Sequence, residues 1–143
     1  MKKIFVTLIL SFLFLGFYNS CYAIEWPFTK REKPLILFNK NPINPDNVAE
    51  FCDTFNRHEK IYYLITIPEK NHSRFFYIQI IKLGKYERLG YELVWGDLIR
   101  LKDENQYYYT DYIVLGEEGN YVIKVYSKDN PKKVYAMSQF WVN

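Results

Sequence analysis

The chain has 143 residues, of which 49% are hydrophobic and 20% aromatic, with 19 basic and 16 acidic side chains. Two of the bases, Lys2 and Lys3, stand at the very start; without them 17 bases face 16 acids, so the rest of the chain is nearly neutral. A neutral domain lacks the basic face that nucleic-acid binding needs, and the one Lys/Arg cluster, Lys30-Arg31-Glu32-Lys33, falls in a linker-like stretch.

Lys2 and Lys3 are followed by Ile4 to Tyr18, an apolar run interrupted only by Thr7, Ser11 and Gly16. At about 15 residues it is shorter than the roughly 20 that cross a bilayer as a helix. Charge, then a short apolar stretch, then small residues is the pattern of an export signal. A cut after Ala23 places Cys21 and Ala23 at the −3 and −1 positions, so residues 1–23 are expected to be a signal peptide. The expected location is outside the cytoplasm, periplasmic or secreted. The competing reading makes Cys21 a lipidated cysteine and the only membrane attachment. Ser20 suits that motif, but Tyr18 stands where an aliphatic residue is expected, and ordinary cleavage is the preferred reading.

Residues 24–33, polar and broken by Pro27, read as a linker. Residues 34–143 read as one domain. Leu35 to Phe38 is a short strand candidate, and Asn39 to Asp46, with Pro42 and Pro45, a loop. Asn47 to Phe55 has Val48, Phe51 and Phe55 at helical spacing behind Asp46, which predicts one or two helical turns. Strands then follow one another: Ile61 to Ile67, Phe75 to Leu83, Tyr91 to Trp95, Leu98 to Leu101, Tyr107 to Leu115, Tyr121 to Tyr126 and Val134 to Val142. Gly96-Asp97 is read as a turn between the third and fourth of these. β-branched and aromatic residues fill the runs, and Gly, Pro, Asn and Asp separate them. The expectation is an all-β antiparallel sandwich of about seven strands with no disulfide, because Cys52 is left alone whatever becomes of Cys21.

Gly119-Asn120-Tyr121-Val122-Ile123-Lys124-Val125 resembles the tyrosine corner of immunoglobulin-like sandwiches. There a tyrosine at the start of the penultimate strand turns inward and bonds backbone at the preceding corner. The chain departs from antibody domains, since Ile123 stands where their second cysteine would be and no Trp lies within Phe75 to Leu83. It is more similar to the disulfide-free, fibronectin-type branch. The resemblance implies a fold and leaves function open among adhesion, chaperone, inhibitor and spacer modules.

No nucleophile elbow, phosphate loop, zinc-helix motif or calcium loop is present, and no cofactor or metal is expected. Cys52 and His58 form the one nucleophile–base pair that an enzyme or ligand carrier would use; nothing in the sequence supplies an orienting third group. Asn71-His72-Ser73 matches a glycosylation sequon and reads as a chance match. The aromatic content offers a stronger pointer. Alternation that turns Tyr121, Ile123 and Val125 inward turns Val122 and Tyr126 outward, and alternation that turns Ala136, Ser138, Phe140 and Val142 inward turns Tyr135, Met137 and Trp141 outward. In an immunoglobulin-like order these strands are neighbours. Val122, Tyr126, Tyr135, Met137 and Trp141 then share one outer face, extended by Tyr77 and Gln79, with the residue mix of a recognition surface. Tyr107 to Tyr109 with Tyr112 forms a second aromatic cluster. The expected function is non-catalytic binding of a protein or cell-envelope component.

Overall fold

The computed structural model describes residues 33–44, 46–47, 50–68, 73–84, 90–103 and 105–143. The expected signal peptide and all but the last residue of the linker lie outside the described residues. The described chain is all-β. Its strands are β1 (Ile36–Asn39), β2 (Thr54–Phe55), β3 (Lys60–Thr66), β4 (Phe75–Leu83), β5 (Tyr91–Arg100), β6 (Tyr108–Val114), β7 (Gly119–Ser127) and β8 (Asn130–Val142). They form a three-stranded sheet in the order β1-β3-β6 and a five-stranded sheet in the order β2-β8-β7-β4-β5. All pairings are antiparallel except β2 with β8.

Two expectations are corrected. The helical turns at Asn47 to Phe55 do not form among the described residues. Thr54–Phe55 instead lies parallel to Trp141–Val142. The backbone is fixed there by Trp141 N–H donating to Asp53 O at 2.7 Å and Asn143 N–H donating to Phe55 O at 2.9 Å. Burial of Phe55 is thus achieved by a short strand rather than a helical turn. Gly96-Asp97 is no turn either. Both residues stay extended because they sit opposite Gln79 and Ile78 of β4, and β5 runs unbroken past them. Tertiary pairing overrides the turn propensity of the dipeptide.

The two sheets bury one core between them. β4 sends Phe76, Ile78 and Ile80 inward, β7 sends Tyr121, Ile123 and Val125, and β8 sends Ala136, Phe140 and Val142. The three-stranded sheet answers with Ile61, Tyr63 and Ile65 of β3 and Ile36 and Phe38 of β1. The alternation expected of β7 and the end of β8 therefore holds, since a strand's side chains alternate between faces.

The corner before β7 is held as its motif predicts. Tyr121 is buried, and its hydroxyl donates to Glu117 O at 2.8 Å. Gly119 opens the strand at φ 151°, a backbone that glycine adopts without a side-chain clash. Lys82 Nζ closes the outside, 2.6 Å from Glu117 Oε2. Its ammonium holds the Glu117 carboxyl below the ordinary carboxylate range, and the carboxylate in turn holds Lys82 above its own. That ion pair is solvent-exposed and adds little stability. Tyr121→Phe removes the hydrogen bond and keeps the ring; it is expected to lower the unfolding free energy by about 1 kcal/mol, read as a lower urea midpoint at unchanged slope.

Candidate functional site

The outer face of the five-stranded sheet is built by register. Tyr77 lies opposite Tyr126, which lies opposite Val134; Gln79 lies opposite Lys124, which lies opposite Met137. Ile81, Val122 and Gln139 form the next row, and Asn120 and Trp141 the one beyond. Directly opposed residues share a face, so these four rows are one surface. On the far side β5 adds Leu98 beside Tyr77 and Leu93 beside Ile81.

Exposure divides the five residues picked out by alternation. Met137 is 62% exposed and Trp141 47%, so both present large apolar surface to solvent. Tyr126 is half-buried. Val122 is on the face but only 7% exposed, as is its neighbour Ile81 at 6%, so the middle of the face is closed. Tyr135 is not on the face. The β7–β8 register shifts between Val125, opposite Ala136, and Tyr126, opposite Val134, which leaves Tyr135 as the extra residue of a bulge. Its ring turns to the core side, 5.1 Å from Phe76, and Val134 takes its place outside. Burial pushes the Tyr135 phenol up.

The face that results is wider than the sequence suggests. Tyr77, Leu93, Leu98 and Val134 are exposed alongside Met137 and Trp141. Tyr77 follows from alternation in Phe75 to Leu83. Leu93 and Leu98 do not, because a bulge opposite Ile80 and Ile81 changes the parity of β5 at Val94. Polar groups border the apolar ones: Lys124 Nζ stands 5.3 Å from the Tyr91 ring centroid, and Gln139 Nε2 donates to Asn120 Oδ1 at 2.7 Å.

The second aromatic cluster does not assemble into one patch. Tyr112 is exposed on the outer side of β6, packed 5.6 Å from Tyr62 with Lys60 Nζ 4.5 Å above its ring. Tyr109 turns to the core side, 6.4 Å from Tyr63, and its hydroxyl donates to Asp111 Oδ2 at 3.0 Å.

Cys52 and His58 are held apart in role. Cys52 is half-buried against the core, its N–H donating to Phe38 O at 3.1 Å. Burial raises its thiol above the ordinary range, so the thiolate that a nucleophile needs is disfavoured. His58 is exposed, at φ 63°, with its N–H donating to Leu115 O at 2.8 Å and its ring edge against Gly116. The charges that act on Cys52 come from Lys40, Glu59 and Asp53. Among the described residues no group of three or more His, Cys, Asp or Glu side chains is placed to hold a metal ion. Cys21 and His72 lie outside the described residues.

No family model and no curated protein sequence matches the chain. Among solved structures, the soluble domain of PmoD from Methylocystis sp. is similar, at 14% identity and a TM-score of 0.46 over 77% of this chain and 90% of that one. A putative superoxide reductase from Thermotoga maritima is similar at 10% identity and a TM-score of 0.44, over 79% of this chain and 88% of that one. A CARDB domain from Pyrococcus furiosus, solved in complex with di-metal ions, is similar at 14% identity and a TM-score of 0.37, over 80% of this chain and 96% of that one. Likeness at these scores carries no argument about what this chain binds.

Proposed function

We propose that the chain is an exported, non-catalytic, immunoglobulin-like binding module that recognises a protein or cell-envelope component through the outer face of its five-stranded sheet. One observation carries the reading. Met137 and Trp141, with Tyr77 across the sheet, hold large apolar side chains in solvent on one face of the central strands. Surfaces of this kind, apolar and aromatic with a polar border, are those that partners cover.

Three features support the immunoglobulin-like assignment. The last two long strands lie side by side in the larger sheet, with β4 next to them. A short strand runs parallel to the final one. The Tyr121 hydroxyl bonds Glu117 O at the corner, four residues back. The signal-like residues 1–23 support export. The raised thiol of Cys52 weighs against the enzyme or carrier reading based on Cys52 and His58.

Crosslinking and capture from the native cell envelope test the proposal, comparing the wild type with a Met137→Asp/Trp141→Asp variant whose fold is checked by circular dichroism. A component enriched by the wild type and lost by the variant is the expected result. A component retained by the variant removes this face from the reading.

A further inference from the structure

Among the described residues, β5 is outermost at one end of the five-stranded sheet and β6 at one end of the three-stranded sheet; the opposite ends are the short strands β2 and β1. A lateral strand presents unpaired N–H and C=O groups, a template on which another chain can add a strand. Here the template is attractive, because Leu93, Val94 and Leu98 on β5 and Tyr112 and Val114 on β6 are exposed. Hydrogen bonds at the strand ends fix which amides point away from the sheet. Leu101 N–H donates to Arg74 O at 2.9 Å, so residues of odd number in this half of β5 turn toward β4 and Leu98 N–H turns outward. Tyr107 O and Leu115 O accept from Ile67 N–H and His58 N–H, each at 2.8 Å, so in β6 the odd residues turn toward β3 and Tyr112 N–H turns outward.

These two outward amides are already taken, each by the aspartate just before it. Leu98 N–H donates to Asp97 Oδ1 at 2.7 Å, and Tyr112 N–H to Asp111 Oδ1 at 2.8 Å. The two aspartates also share a placement. Asp97 lies opposite buried Ile78 and Asp111 opposite buried Tyr63, so each stands on the core-facing side of its strand, at the rim. Asp111 is held there by the Tyr109 hydroxyl on its second oxygen.

We propose that Asp97 and Asp111 are edge guards, which hold β5 and β6 closed to strand addition by a second copy of this chain. An incoming strand has to displace a carboxylate from the amide it needs and then enclose that charge within a ladder of peptide groups. Burying an unpaired carboxylate is costly enough to outweigh the few hydrogen bonds gained.

Analytical ultracentrifugation of the natively processed protein tests this, with wild type, Asp97→Val/Asp111→Val, Asp97→Asn/Asp111→Asn and the turn variant Asp129→Val compared. The valine pair is expected to raise the self-association constant at least about tenfold over wild type, with the Asp129→Val variant unchanged. The amides of Gly96, Leu98 and Arg100 should gain hydrogen-exchange protection as association proceeds. The asparagine pair retains an acceptor for each amide but loses the charge, and is expected to associate between wild type and the valine pair; if the valine pair does not fold, this pair is held to a rise above wild type. A folded guard variant as monomeric as wild type overturns the proposal. So does equal association by Asp129→Val, or wild-type protein already paired through β5.

Discussion

Phe140→Ala is expected to destabilise the domain by about 3–5 kcal/mol, a large share of the roughly 5–15 kcal/mol that holds a domain folded. The side chain has no exposed surface. Its ring lies 4.8 Å from Phe38, 6.1 Å from Phe55 and 5.6 Å from Tyr121, the last in a stacked arrangement only 15° from parallel. Those partners come from β1, β2 and β7, and Phe140 itself from β8. One ring therefore joins the three-stranded sheet to the five-stranded sheet and also seats the two-residue strand β2. Truncation removes the apolar burial and leaves a cavity among aromatic rings that are fixed on different strands and cannot all close on it. Phe140→Leu keeps most of the volume and should cost markedly less. Urea unfolding of both variants at unchanged slope provides the check. Near-equal midpoints would mean that β1 is not anchored through this ring.

Much of this organisation is legible in the sequence, and where it is not, the reason is local. β4 is read with its observed ends because an apolar run of strand formers stops at Gly84 and has no competing pattern. Tyr121 is read because a glycine, a tyrosine and alternating aliphatics recur together at one kind of corner, and the hydroxyl bond to Glu117 O follows from that geometry. β5 is cut in two by reasoning from propensity alone, since Gly96-Asp97 is a turn dipeptide until β4 lies beside it. Phe51 and Phe55 carry a helical spacing, but Phe55 is buried by the parallel pairing with β8, an interaction spanning most of the chain that local periodicity cannot register. The outward face shows the same limit residue by residue. Alternation counted back from Val142 is right as far as Ala136 and fails one position later, because the bulge adds a residue and sends Tyr135 to the core side. Met137 and Trp141 do stand on the outward side of β8, as alternation places them; among the described residues the short β2 is the strand beyond β8.

Val122 makes the opposite case, and it yields the second large expected effect. Its strand is central, flanked by β4 and β8, and Ile81 and Gln139 stand on either side of it in the same row. An outward position in such a row is 7% exposed, whereas Trp141, on the same face, is 47% exposed. Val122→Asp places a carboxylate beside Ile81 with no cation opposite it in the row, and is expected to lower stability by about 3–5 kcal/mol, as an uncompensated buried charge does. Trp141→Asp keeps its backbone N–H on Asp53 O and should change stability by less than about 1 kcal/mol. Thermal and urea unfolding of the two variants side by side measure the difference. It decides how capture experiments are to be read: partner loss in Val122→Asp reports unfolding, and partner loss in Trp141→Asp reports the surface. If Val122→Asp proves as stable as wild type, the middle row is open to solvent, and Val122 joins Met137 and Trp141 as a residue that a partner can touch.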